Sequence, residues 1–296
     1  MAFLTISVLK PSVRLNNNVV LPQMGLGVWK STNQEAQNSV ELAIKNGYRL
    51  IDTAKQYGNE AGVGAGISKS LTDNGLKRDD VYITTKVYSG DQGYKNTLAA
   101  IDGQLDRLQT DHVDLLLMHW PVNDLYNETW RAMEEIYNQN KALAIGVCNF
   151  DVERLTDLLN HASIVPAVNQ IEFNPRIHQT DVVNLCRVQG IAVEAWSPLG
   201  NGKLLQNETI GKIADRHGKS TAQTILRWEI QQGIIVIPKS THETRLIENA
   251  SINDFELTPE DMKQISSLNT EEHSRWYDNY QWYGNPDGDP NFIMKA

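Results

Sequence analysis

Asp52, Tyr57, Lys86 and His119 are the residues of this 296-residue chain whose types and spacing most clearly suggest chemistry. A carboxylate, a phenol, an ammonium and an imidazole can together give, hold and steer a proton, which is the work of general acid–base catalysis. Asp52 ends the run "YRLID", and Tyr57 follows it in "DTAKQYGNE". Lys86 lies in "VYITTKV" and His119 in "VDLLLMHW". Taken singly, each has a plainer reading: Asp52 could cap a turn, Lys86 could be a surface charge, Tyr57 could pack in a loop, and His119 could be a hydrogen-bonded core histidine. Jointly those readings weaken, because a buried charge is costly unless paired and packing alone does not call for four complementary titratable groups.

The elements that must position these groups recur regularly. Eight short β-rich runs succeed one another: "GLGVW" from 25, "YRLID" from 48, "VYITTKV" from 81, "VDLLLMHW" from 113, "ALAIGVCNF" from 142, "AVNQIEF" from 167, "IAVEAWS" from 191 and "GIIVIPKS" from 233. Nearly continuous apolar runs are what parallel strands covered on both faces show. Between them lie helix-compatible stretches such as "NQEAQNSVELAIKNG", "NTLAAIDGQLDRLQ", "DVERLTDLLNH" and "DVVNLCRVQG". Several are entered through Asn or Asp and left through Gly. The alternation predicts an α/β fold, a single (β/α)₈ TIM barrel over residues 1–296, with an open doubly wound sheet as the alternative. "SVRLNNNVVLP" predicts an N-terminal β-hairpin within residues 1–24.

In such a barrel Asp52, Lys86 and His119 close the second, third and fourth strands. They stand one strand–helix unit apart on the carboxyl rim, where barrel active sites lie, with Tyr57 in the loop above. The tail, residues 270–296, holds Trp276, Tyr277, Tyr280, Trp282 and Tyr283 among Gly, Asp, Asn and Pro. It reads as a loop that either covers the barrel mouth as a lid or anchors on the barrel side. "GVGAGIS" at 62–68 lacks the strand-then-helix setting of a phosphate loop and reads as a packed helix.

Composition narrows the partners. A hydrophobic content of 41% supports a large core, and a net charge of −9 gives no basic field for nucleic acid. The two cysteines, Cys148 and Cys186, fit a reducing compartment, with no disulfide framework and no cysteine-based zinc site, and no metal is expected. "MAFLTISVLKP" holds too short an apolar run for export, and nothing approaches the roughly 20 apolar residues that span a membrane. The expectation is a cytoplasmic protein with a small-molecule partner, monomeric or at most weakly dimeric.

The segments "DTAKQYGNE", "ITTKV", "LLLMHWP", "IGVCNF", "NQIEFNP", "SPLG" and "IPKS", with the Arg and Glu-Asn that follow, resemble the signature segments of the aldo-keto reductases, in order and across nearly the whole chain. The resemblance is greatest to the bacterial branch of 2,5-diketo-gluconate and methylglyoxal reductases. It implies a catalytic tetrad of Asp52, Tyr57, Lys86 and His119, and an NADPH cofactor held without a Rossmann fold. It further implies Asn149 and Gln170 as ligands of the nicotinamide carboxamide and Trp196, where the family commonly has Tyr, as the stacking aromatic. Cys148 stands where the family often has Ser, so it is either a weak donor to the carboxamide or a small buried hydrophobe. Ser197, Leu199 and Asn201 match the loop along the pyrophosphate. Lys239, Ser240, Arg245, Glu248 and Asn249 match the adenine and 2′-phosphate site, with His242 in place of the usual small hydroxyl residue. Trp29, Tyr88 and Trp120 would line the substrate pocket, the alternative being rim packing.

The implied reaction moves a hydride to a carbonyl carbon, so charge develops on oxygen and a proton is needed. Tyr57 would be the acid. An ammonium about 4 Å away at an effective dielectric near 20 favours the phenolate by ~4 kcal/mol, roughly three pK units from the ordinary value near 10, before burial opposes it. Lys86 would supply that ammonium, Asp52 would hold it, and His119 would orient the carbonyl. Expected substrates are small aldehydes, α-keto aldehydes and ketones, such as dicarbonyls or keto sugars. Two rivals stand beside this reading: a Schiff-base barrel aldolase with Lys86 as nucleophile, and a non-enzymatic NADPH sensor.

Overall fold

The computed structural model describes residues 11–273. The aromatic residues of the expected lid therefore lie outside the described residues. An antiparallel hairpin, β1 (Ser12–Arg14) and β2 (Val20–Pro22), precedes eight parallel strands. These are β3 (Leu26–Gly27), β4 (Leu50–Asp52), β5 (Tyr82–Val87), β6 (Leu115–Met118), β7 (Ile145–Cys148), β8 (Val168–Glu172), β9 (Ala192–Trp196) and β10 (Ile235–Val236). Each pairs with the next in sequence order. Residues flanking β3 then meet β10: Gly25 N–H donates to the Val236 carbonyl at 2.8 Å, and Val236 N–H donates to the Gln23 carbonyl at 2.9 Å. These bonds close the sheet into a (β/α)₈ barrel, which disposes of the doubly wound alternative.

Helices α1 (Asn33–Lys45), α2 (Glu60–Asn74), α3 (Tyr94–Leu108), α4 (Tyr126–Asn138), α5 (Val152–His161) and α6 (Thr180–Val188) each follow a strand, as the alternation requires. Two helices, α7 (Glu208–His217) and α8 (Thr221–Gln231), share the β9–β10 connection, and α9 (Glu243–Ala250) and α10 (Pro259–Ser266) follow β10. Local signals start several of them. Thr32 and Glu35 form a reciprocal capping box on α1, and Asp151 accepts from the Arg154 N–H at the start of α5.

Side chains alternate across each strand, so the barrel has two apolar compartments. Leu50, Leu115, Leu117, Val168 and Ile235 fill the inside together with Leu15 and Leu21 of the hairpin. Ile51, Ile83, Leu116, Ile145 and Ile171 face the helices. The hairpin plugs the amino end: Asn16 and Asn17 donate to the Pro166 and Leu143 carbonyls at 2.9 Å, just ahead of β8 and β7. The carboxyl end is left to the loops.

The glycine run lies within α2, as a packed helix. A Cβ on Gly62 would stand 2.1 Å from the Asn33 carbonyl oxygen, and one on Gly64 2.6 Å from that of Arg107. Those glycines let α2 approach the start of α1 and the end of α3 backbone to backbone. Among the described residues no helix is long and apolar enough to cross a membrane.

Candidate active site

At the carboxyl ends of β4 and β5 the register brings Asp52 and Lys86 inside the barrel, both almost fully buried. Lys86 Nζ donates to Asp52 Oδ1 at 2.7 Å, Asp52 Oδ2 at 2.8 Å, the Thr53 carbonyl at 3.0 Å and the Tyr57 hydroxyl at 3.2 Å. Burial, the largest single influence, would lower the Lys86 ammonium, but the Asp52 charge and hydrogen bond, with Tyr57 and Cys148, together outweigh it and hold that pKa above the ordinary value. For the Tyr57 phenol the balance is reversed. Burial pushes it up, against the opposing charge of Lys86, so the net shift is upward, where the sequence argument stressed the lowering. Tyr57 is thus a phenol that keeps its proton, with a cation beside the oxygen on which charge would appear.

The loop that carries Tyr57 is tightly held. A 3₁₀ turn, Lys55–Tyr57, ends at Gly58, whose φ of 69° suits a residue without a Cβ. Asn59, fully buried, accepts from the Thr53 hydroxyl at 2.8 Å and donates to the Val28 and Ser31 carbonyls at 2.9 and 3.0 Å. It ties the Tyr57 loop to the loop after β3. Glu60 accepts from Thr85, Gln104 and Arg107, while Gln104 also donates to the Lys86 carbonyl at 3.1 Å. Neither residue was singled out from sequence. The signal was present in "YGNE", where an amide and a carboxylate follow the phenol after a single glycine.

His119 completes the group from the end of β6. Its ring meets the Tyr57 ring edge-on, with centroids 5.6 Å apart, and its Nδ1 is buried without a hydrogen-bond partner. Burial and then the Lys86 charge hold its pKa well below the ordinary value, so the imidazole is neutral and can donate an N–H to a substrate oxygen.

A cavity of about 880 Å³ runs from these residues across the ends of β7 to β10 to α9. Asp52, Tyr57, His119, Trp29 and Trp120 line it, as do Cys148, Asn149, Gln170, Trp196, Ser197, Leu199 and Asn201, and then Lys239, Ser240, Arg245, Glu248 and Asn249. Lys86 lies beneath the floor. Tyr88, expected at the pocket wall, is not among the lining residues. It follows the last residue of β5 and enters the 3₁₀ turn Ser89–Asp91, so the alternation that places Lys86 inside no longer governs it.

Within the cavity Trp196 Nε1 donates to Asn149 Oδ1 at 2.8 Å, and Asn149 Nδ2 donates to the His119 carbonyl at 3.0 Å. Asn149, Ser197 and Asn201 all have positive φ, between 51° and 63° in these three, an unfavourable conformation for residues with a Cβ that clusters at functional sites. Lys30 is a lining cation that sequence reasoning missed. Its ammonium sits 4.3 Å from the centroid of the Trp29 ring, and Lys239 Nζ donates to its carbonyl at 3.1 Å. Burial and the Lys30 charge lower the Lys239 ammonium, against the pull of Glu35. Arg245, near the start of α9, is exposed to the same space.

The profile of the Aldo/keto reductase family matches residues 23–270. The chain is 54% identical over 265 residues to the glyoxal reductase of Bacillus subtilis strain 168, covering 89% of this chain and 95% of that one. Among solved structures, an aldo/keto reductase from Brucella melitensis superposes with a TM-score of 0.83 at 46% identity, covering 87% of this chain and 99% of that one. A Bombyx mori aldo-keto reductase in complex with NADP superposes with a TM-score of 0.88 at 32% identity, covering 95% and 99%.

Proposed function

Since the chain belongs to the aldo/keto reductase family and is an oxidoreductase, we propose that it reduces small aldehydes, 2-oxoaldehydes and ketones with NADPH, using Tyr57 as proton donor. The observation that carries this reading is the Lys86 ammonium within hydrogen-bond reach of the Tyr57 hydroxyl, under a cavity that a neutral His119 also lines.

The residues present fit NADPH. Lys30, Lys239 and Arg245 gather cations at one end of the cavity in a chain of net charge −9, as an added phosphate requires. Asn149, Gln170 and Cys148 offer amides and a thiol for the carboxamide, with Trp196 as the stacking surface. When bound, the cofactor supplies the hydride. The chain's own residues do the rest. His119 binds the carbonyl oxygen and shares its developing charge, Tyr57 gives that oxygen its proton, and Lys86, oriented by Asp52, stabilises the phenolate left behind.

The aldolase alternative finds no support in this geometry. A Schiff-base lysine attacks as a free amine, whereas Lys86 is fully buried, donates to four acceptors and is held as an ammonium. We read the chain as one barrel domain acting as a monomer in the cytoplasm; the two buried free thiols fit such a reducing compartment.

For the substrate, aromatic walls at Trp29 and Trp120 and the likeness to a glyoxal reductase favour small dicarbonyls. The test is a panel of aldehydes, 2-oxoaldehydes, keto sugars and a steroid ketone, followed by loss of NADPH absorbance. The dicarbonyls should give the highest kcat/KM, and comparable efficiency toward the steroid would contradict the assignment.

Cofactor choice is tested at Arg245. A charge-assisted hydrogen bond contributes about 1.5–3 kcal/mol, so Arg245→Ala should cost roughly 10- to 150-fold in NADPH affinity. NADH affinity should barely change. Dissociation constants for both cofactors at fixed salt check this, and equal losses for the two would remove Arg245 from the 2′-phosphate site.

A further inference from the structure

Beneath the proposed nicotinamide site lies an ionisable group that the mechanism does not use. Glu194, on β9, is fully buried inside the barrel, with Gln170 beside it on β8 and Ile235 on β10. Gln170 Nε2 donates both to Glu194 Oε1 at 3.1 Å and to Asp52 Oδ2 at 2.9 Å. Two carboxyl acceptors require the amide nitrogen on that side, which turns Oε1 toward Cys148, whose Sγ is 3.6 Å away. Glu194 Oε2 is buried without a hydrogen-bond partner.

The charged and titratable groups facing Glu194 are Asp52 on β4, Lys86 on β5 and Cys148 on β7; β8 offers the neutral Gln170, and β10 offers Ile235. Lys86 is already hydrogen-bonded to both Asp52 oxygens. Glu194 is therefore a second carboxyl in a buried layer that, among the described residues, holds one cation, and like charges so placed do not both ionise readily. Burial and then the Asp52 charge push its pKa up to about 8.

We propose that Glu194 is a positioning residue that fixes the Gln170 amide and couples the proton it carries to the oxidation state of the bound cofactor. The inference rests on the NADPH reading above. NADP⁺ and NADPH share their phosphates and differ in the charge of the ring. A cationic ring favours the carboxylate, so NADP⁺ lowers the Glu194 pKa and its carboxyl proton passes to solvent, while the neutral ring of NADPH leaves that proton in place. The sign follows: proton release accompanies NADP⁺ binding at pH values just below the free group's pKa. The affinity for NADP⁺ relative to NADPH rises with pH through that window and levels off above it.

Titration calorimetry of the wild-type protein with each nucleotide, in two buffers of different ionisation enthalpy at about pH 6, 7.5 and 9, counts the protons exchanged. NADP⁺ should release more protons than NADPH near the middle pH. The ratio of the two affinities should rise by about tenfold for each pK unit that Glu194 shifts. Glu194→Gln should abolish both effects while still binding both nucleotides. Equal proton counts for the two nucleotides in the wild type overturn the proposal, whether or not the variant folds, and so does a pH-dependent ratio that persists in the variant. If neither nucleotide binds, the cofactor reading itself fails and this inference falls with it.

Discussion

Tyr57→Phe should lower turnover by about 10²- to 10⁴-fold while leaving NADPH affinity within about twofold of the wild type. The substitution removes one oxygen and leaves the ring, so the edge-on contact with His119 and the 3₁₀ turn survive. What is lost is the proposed proton donor and the acceptor of a 3.2 Å bond from Lys86. Burial pushes the phenol's pKa upward, so the acid stays loaded through neutral pH and its loss cannot be offset by lowering the pH. Steady-state kinetics with a small aldehyde, beside fluorescence titration of NADPH, check this. A variant with near-normal turnover would falsify the role of Tyr57.

Lys86→Met should have two separable consequences. Turnover should fall by about 10²-fold or more, because no cation remains to stabilise the phenolate. Stability should fall by about 3–5 kcal/mol, the usual cost of removing one member of a buried ion pair and leaving the other uncompensated. The double variant Asp52→Asn with Lys86→Met distinguishes the two effects. It removes the stranded carboxyl and should recover much of the stability by chemical denaturation, with no recovery of turnover. Recovery of both would make Lys86 a structural residue only.

The barrel was legible because its strands are covered on both faces and therefore stand out as apolar runs, and because several of the helices between them carry side-chain caps. The charged residues at corresponding ends of those runs were legible for a related reason: Asp52 directly follows Leu50 and Ile51, and Lys86 is the one charge in "VYITTKV". Glu194 gave the same signal, a carboxylate inside "IAVEAWS", but its partner Gln170 is remote in sequence and only the register shows the contact. Tyr88 was named from the resemblance, which does not show that β5 ends at Val87 and that Tyr88 enters the 3₁₀ turn beyond it. The direction of the Tyr57 shift depended on how deeply the loop is buried, a balance between desolvation and the Lys86 charge that spacing does not supply. Lys30 was hidden by its charge, since a lysine in a loop reads as solvated until the fold brings Lys239 beside it.

The central claim is that this site transfers a hydride from NADPH to a carbonyl that Tyr57 protonates. The most direct measurement follows NADPH absorbance and alcohol product together, with methylglyoxal and wild-type protein, before and after borohydride treatment in the presence of substrate. One NADPH should be consumed for each alcohol formed, and borohydride should leave Lys86 unmodified by mass spectrometry. Absence of NADPH consumption across small carbonyls, or a covalent substrate adduct on Lys86, would contradict the account.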